Sequence, residues 1–186
     1  RFASWEDLLA KPQLAEALLN TTMDQMHLSS TLAALEAGYH VLLEKPMATT
    51  IEDCVRLVRA AEQAGKVLQI CHVMRYAPFY VEVKKRAASG EIGELIAIET
   101  TEHVSYHHIA VGYVRGKWRN SAQAGHNSML LAKCCHDIDM IMWMMGGIPP
   151  AAVSSFGSNF QFKPEKAPAG AGTRCLADCP PEVEAE

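Results

Sequence analysis

The sequence predicts an α/β fold built on a parallel sheet. Three short apolar runs, "EALLNTT", "YHVLL" and "VLQICHV", alternate with two stretches of helical character. Such alternation implies parallel pairing, with right-handed crossovers carrying the chain back to the same sheet end. The second observation is chemical. The runs end in Thr21-Thr22, Glu44-Lys45 and His72, and in open α/β sheets the carboxyl ends of strands are where ligands bind.

Each element has its own signal. "SWEDLLAKPQ" reads as a short helix opened by Ser4 as N-cap, with Asp7 three residues on. "EALLNTT" is a strand ending at Thr21-Thr22, with Asn20 an unexpected polar residue at its close. "DQMHLSSTLAALEAG" is a helix stopped by Gly38. Tyr39 to Leu43 is a buried strand running into Glu44. Thr50 with Asp53 caps the next helix, whose expected apolar face includes Cys54, Val55, Val58 and Ala61, and Gly65 stops it. "VLQICHV" is a third strand. Beyond it, "PFYVEVKKRAASG" predicts a helix, "ELIAIETTEHVSY" a strand of period-two character, Met129 to Met145 one strongly apolar helix, and "AAVSSFGSNF" a second strand. From Lys163 onward Pro, Gly and Glu dominate, and a poorly ordered tail is expected.

Composition narrows the classes. The 186 residues are 49% hydrophobic and 20% charged, an ordinary globular balance. A net charge of −4 with scattered basic residues leaves no electrostatic footprint for nucleic acid. No apolar run approaches the ~20 residues of a membrane span. Six cysteines show no disulfide framework. Cys175 and Cys179 supply half of a zinc ligand set at most, since a structural site takes four. His103, His107, His108 and His126 lie close in sequence, but no carboxylate or thiolate accompanies them at metal-ligand spacing, so no metal is expected.

The most informative residues are Glu44-Lys45-Pro46. A lysine at the carboxyl edge of a strand can polarise a substrate oxygen; a solvated turn is the plain alternative. The proline leaves room for a cis bond that would aim Lys45 inward. The surrounding text, "NTTMDQMHLSSTLAALEAGYHVLLEKPMATT", then "HVMRYAPFY", "GEIGELIAIE", "VRGKWRN" and "HDIDMIMWMMGG", resembles in the same order the glucose–fructose oxidoreductase/inositol dehydrogenase (Gfo/Idh/MocA) family, up to about Pro164.

That resemblance implies the C-terminal half of a Rossmann-type parallel sheet followed by the start of an α+β, mostly antiparallel-sheet domain. The glycine cluster G-x-G-x-x-G that opens a dinucleotide domain does not occur. The expected boundaries are residues 1–73 for a partial NAD(P)-binding domain, 74–162 for a partial substrate and oligomerisation domain, and 163–186 for the tail. The implied activity is hydride transfer between NAD or NADP and a hydroxyl carbon of a sugar, inositol or related polyol. The parent protein would be a cytoplasmic homo-oligomer with no nucleic-acid or membrane partner, and activity of these residues alone is doubtful. Two other classes stay open: a truncated, inactive piece that associates through exposed sheet edges, and a metal-binding module using the Cys-containing tail.

The resemblance also implies residue roles. Lys45 contacts the substrate oxygen and takes part in proton transfer. His136 stands where the family places an acid/base histidine in a D-x-x-x-H helix. Here the aspartate position is Ala132, and Lys133 is the nearest polar substitute. A histidine among Met129, Ala132, Met140 and Trp143 can equally be a satisfied core residue. Thr22, His27, Glu44, Lys45 and Pro46 would lie along the dinucleotide, with Met23 replacing the usual proline or serine. Arg75 would sit near the nicotinamide, and Trp118 and Arg119 in a loop reaching over it.

Overall fold

The three apolar runs assemble into one parallel sheet in the order β1-β2-β3, with strands Ala17–Asn20, His40–Leu43 and Leu68–Ile70. The computed structural model describes residues 1–116, 118–120, 122, 127–173 and 177–184. Ala17 pairs with His40 and Asn20 with Leu43; Val41 pairs with Leu68 and Leu43 with Ile70. All three strands therefore run out at one edge, which brings Asn20, Glu44-Lys45 and Cys71-His72 side by side.

Helix α1 (Trp5–Leu9) opens on Ser4, whose hydroxyl accepts the Asp7 N–H at 3.2 Å. A 3-10 turn, Asp24–Met26, leads into α2 (His27–Glu36). The buried residues of α2 are His27, Ser30, Thr31, Ala34 and Leu35, the i, i+3, i+4 stripe of a helix with one face on the core. Gly38 follows at φ +88°, a conformation that L side chains rarely adopt. In β2, Val41 and Leu43 point into the core at 2% and 0% exposure. They pack with Leu35, Leu57 and Ala61.

Helix α3 (Ile51–Ala64) has the expected ends. Thr50 Oγ accepts the Asp53 N–H, and Gly65 at φ +61° closes it. Its buried face is rotated from the one expected. Leu57 and Ala61 are buried while Val55 and Val58 remain 42% and 44% exposed. The stripe that meets the sheet runs through Cys54, Leu57 and Ala61, spaced i, i+3, i+7, and the two valines fall on its flank.

After β3 a 3-10 turn, Val73–Tyr76, precedes α4 (Pro78–Ser89). The strand expected over 94–106 is absent, and residues 106–109 instead form α5 (Tyr106–Ile109), continued by a π-helical turn, Ala110–Val114. A strand exists only by its ladder partners. No described segment pairs with 94–105, so its period-two pattern goes unused. The single apolar helix expected over 129–145 is two: α6 (Met129–Ala132), capped by Ser128, and α7 (Cys135–Met144). The interruption falls at Lys133-Cys134, where the His136 N–H bonds the Lys133 carbonyl at 3.4 Å.

These elements belong to one compact unit, residues 1–149, and residues 150–186 form another. The second unit, taken alone, holds a 3-10 turn, Pro164–Lys166, and α8 (Pro181–Glu184). The strand expected over 151–160 is not formed there. Thr173 donates to the Asp178 carboxylate through its N–H at 3.1 Å and its hydroxyl at 2.5 Å. Cys175 lies outside the described residues. Among the described residues, no helix is long and apolar enough to cross a membrane.

Candidate active site

The end of β1 is organised by Asn20, 3% exposed. Its amide donates to Ser30 Oγ at 2.8 Å and Thr31 Oγ1 at 2.9 Å on α2. Its Oδ1 accepts from the Thr22 N–H at 3.2 Å and the Thr22 hydroxyl at 2.8 Å. A side chain that looks misplaced in a strand thus fixes the turn leading to α2. His27 plays a matching part. It is fully buried, with Nδ1 2.8 Å from the Pro46 carbonyl and Nε2 3.1 Å from the Thr22 carbonyl. His27 was expected against the cofactor. The structure corrects this: both ring nitrogens are spent on main chain, and the residue fastens the Thr22 turn to the Lys45-Pro46 turn. The Lys45–Pro46 peptide is cis.

Lys45 leaves the edge of β2, and its ammonium donates to the Ala132 carbonyl at 2.7 Å. That carbonyl is available because of the α6/α7 interruption. In a continuous helix it would accept the His136 N–H, which here turns to Lys133 instead. A cavity of about 230 Å³ opens at this point, lined by Asp24, Lys45, Pro46, His108, Tyr113, Trp118, Lys133 and His136. Lys45, Lys133 and His136 therefore share one cavity, although Lys133 is at a helix end and not on the His136 helix. The Lys133 ammonium pairs with Glu102 at 3.1 Å.

His136 Nδ1 is buried and has no hydrogen-bond partner among the described residues. Burial pushes its imidazole below the ordinary value, and the charges of Lys45, His72 and Lys133 push the same way against Asp137. His72 stands edge-on to it, with ring centroids 6.1 Å apart at 85°. Its imidazole is also lowered, chiefly by burial, although Asp139 works in the opposite direction.

Arg75 does not face this cavity. Its guanidinium forks onto Asp139, Nε to Oδ2 and Nη2 to Oδ1, both at 2.7 Å, and lies 5.9 Å from the centre of the Trp143 ring. The bond raises the Arg75 pKa further. The expected nicotinamide contact is thus replaced by a clamp between the β3 exit and α7, because a carboxylate is the geometric match for a guanidinium fork. A second, larger cavity of about 450 Å³ lies beside this clamp, mostly apolar, lined by Leu130, Leu131, Cys135, Ile138 and Met142 with His72 and Asp139.

Trp118 does reach the smaller cavity. Its indole N–H donates to Asp24 Oδ2 at 2.9 Å, and its ring stacks on Tyr113 at 5.8 Å and 30°. Gly116 makes the approach possible, since a side chain there would run into the Val111 carbonyl. Arg119 is exposed and is not among the lining residues. Glu44 is half-buried at the edge, with one carboxylate oxygen taking the Lys45 N–H at 3.0 Å.

Sequence reasoning missed Asp24, Tyr113, Asn127 and Asp139. The signal for Asp139 was in plain view, three residues after His136 and so on the same helix face. Asp24 sits in the turn directly after the β1 edge. Asn127 and Tyr113 carry no local signal; only the tertiary fold brings Tyr113 to the cavity and Asn127 against Asp24.

Two family models cover most of the chain. Residues 1–72 match the oxidoreductase family with an NAD-binding Rossmann fold, and residues 80–179 match the GFO/IDH/MocA C-terminal domain. The chain belongs to the GFO/IDH/MocA oxidoreductase family. Among curated members, it is 32% identical to the 1,5-anhydro-D-fructose reductase of Ensifer adhaerens over 81% of this chain and 44% of that one. It is 31% identical to inositol 2-dehydrogenase 2 of Saccharopolyspora erythraea over 70% of this chain and 35% of that one. The fold superposes on scyllo-inositol dehydrogenase from Lactobacillus casei, solved with NAD(H) and scyllo-inositol, with a TM-score of 0.67 at 25% identity, covering 78% of this chain and 41% of the other. The WlbA dehydrogenase of Bordetella pertussis, solved with NADH and UDP-GlcNAcA, gives 0.59 at 30% identity over 77% and 40%. The chain spans less than half the length of these relatives.

The residues at this edge are ones that would hold the nicotinamide end of a dinucleotide. Thr22, Glu44, Lys45 and Pro46 line the carboxyl edge of adjacent strands, and Glu44 keeps one oxygen free of any described donor for a ribose hydroxyl. Among the described residues, no three His, Cys, Asp or Glu side chains stand together as a ligand set.

Proposed function

We propose that these residues belong to an NAD(P)-dependent oxidoreductase that moves hydride between nicotinamide and a hydroxyl carbon of a sugar, inositol or related polyol. The observation that carries this reading is the meeting of Lys45, from the edge of β2, with His136, from α7, around one cavity. Nicotinamide, when bound, supplies the hydride acceptor in one direction and the donor in the other. The chain supplies the proton chemistry. Lys45 donates to the reacting oxygen and stabilises the negative charge that develops there. His136, kept neutral by burial and by Lys45, accepts the hydroxyl proton as the alcohol is oxidised and returns it in reduction. Thr22, Glu44 and Pro46 border the nicotinamide ribose, and Trp118 closes the cavity from the other side. Arg75 and Arg119 are left out of the contact set.

The curated relatives' names support a sugar or cyclitol substrate. The same proposal includes a domain boundary near residue 73, a cytoplasmic setting and a homo-oligomer. No G-x-G-x-x-G occurs in the 186 residues, so the proposal concerns a protein in which they act together with one. The test is turnover. That protein, given NAD+ or NADP+ with a panel of inositols and anhydrosugars, should produce reduced nicotinamide with at least one of them. No reduction with any member of the panel would overturn the reading.

A further inference from the structure

Asp24 lines the cavity but has no part in the proton chemistry. Its Oδ2 accepts two hydrogen bonds, from the Trp118 indole N–H at 2.9 Å and from the Asn127 amide. Asn127 is fully buried and is itself held, its Oδ1 accepting the Ser128 N–H at 2.8 Å. Both donors fall on the same oxygen. Asp24 Oδ1 accepts from no described residue. A carboxylate clamped through one oxygen presents the other in a fixed direction, and an ionised carboxylate can only accept. The same cavity is lined by two groups that can only donate, the ammonium ions of Lys45 and Lys133. The third wall is aromatic, with His108 stacked on Tyr113 at 6.3 Å and Tyr113 on Trp118.

We propose that Asp24 anchors the substrate, its Oδ1 accepting a hydrogen bond from a free hydroxyl next to the carbon that is oxidised or reduced. This rests on the oxidoreductase reading above. Lys45 binds the reacting oxygen through a lone pair, so that oxygen's neighbour must supply the hydrogen that Asp24 requires. The aromatic wall gives the C–H face of the substrate a flat surface to lie against. The cavity therefore selects for a vicinal diol. An analogue deoxygenated or O-methylated at the neighbouring position leaves a desolvated carboxylate without a donor. Sites built to bond a hydroxyl reject analogues lacking it by ~10⁴–10⁵-fold. Asp24 is only half-buried, and a penalty of ~10²-fold in kcat/KM is the corresponding expectation.

The experiment compares kcat/KM for the best polyol of the panel with its analogue deoxygenated next to the reacting carbon, in the wild type and in Asp24→Asn. The wild type should show the ~10²-fold penalty. In Asp24→Asn, KM for the parent polyol should rise by ~10-fold or more and the penalty on the analogue should shrink to a few-fold. An equal penalty in both proteins would make Asp24 a structural latch for the Trp118 loop and overturn the proposal. If Asp24→Asn does not fold, the wild type decides alone: parent and analogue used within about threefold of each other would overturn it. No turnover of any polyol by the wild type would instead remove the reading on which the proposal stands.

Discussion

The Lys45 ammonium is held 2.7 Å from the Ala132 carbonyl, on the short helix just before the one that carries His136. This bond joins the sheet edge to the second half of the site. It exists because the apolar stretch from Met129 is interrupted at Lys133-Cys134, which frees a main-chain acceptor that a regular helix would consume. The aspartate expected four residues before His136 is Ala132 in this chain. What Lys45 meets there is the residue's main chain, a group that substitution at that position does not remove.

Asn20→Ala should destabilise the protein although Asn20 does not itself line the cavity. It deletes a buried amide that satisfies Ser30, Thr31 and Thr22 together. The expected loss is about 1–3 kcal/mol. Urea unfolding followed by circular dichroism reads it directly, and an unchanged midpoint would contradict the assignment of Asn20 as the junction of β1 and α2.

Asp139→Ala should cost a similar amount, about 1–3 kcal/mol, because it strands Arg75 at the β3 exit. Arg75→Lys should recover only part of the difference, since an ammonium cannot reproduce the forked contact. Thermal melts of the two variants and the wild type order them. A melting point for Arg75→Lys equal to that of the wild type would show that the fork is not what matters.

How much of this was legible in the sequence differs by region. Strands β1 to β3, both caps of α3 and the Gly38 stop could be read because each depends on neighbours a few residues away. The 94–106 and 151–160 segments misled because a period-two pattern specifies a strand only when a partner strand is at hand. Lys45 and His136 stand at motif positions, and Lys133 is the polar neighbour of a position that departs from the motif; the three line one cavity. Arg75 and His27 were misplaced because the pattern identifies a residue's neighbourhood but not its bonding partner. Asp139 and the Thr22 and Pro46 carbonyls, which claim these two side chains, are assigned only by the fold.

Acid should weaken the fold through His72 and His136. Both imidazoles sit below the ordinary histidine value of 6.5, chiefly because of burial. The unfolded chain then binds protons more readily than the folded one, so acidification favours unfolding. Their contribution is complete above 6.5, is lost as pH falls through 6.5 towards the folded values, and levels off below them. Denaturant midpoints for wild type should drop between about pH 7.5 and about pH 5.5, and drop less in His72→Gln/His136→Gln. Parallel pH slopes in the two proteins would assign the acid sensitivity elsewhere.

Taken alone, these 186 residues should bind NAD(H) weakly, since they hold no glycine loop to cradle the pyrophosphate. Isothermal calorimetry should find no saturation at micromolar ligand; a micromolar dissociation constant would mean that the nicotinamide side of the site suffices.

Lys45→Ala in the active protein tests the central claim most directly, with single-turnover hydride transfer and NADH affinity measured on the same preparation. Loss of a positioned general acid–base group should slow hydride transfer by ~10²-fold or more, with NADH binding within about threefold of wild type. A rate of hydride transfer close to wild type would contradict the account, because Lys45 would then be only the tie between β2 and the Ala132 carbonyl.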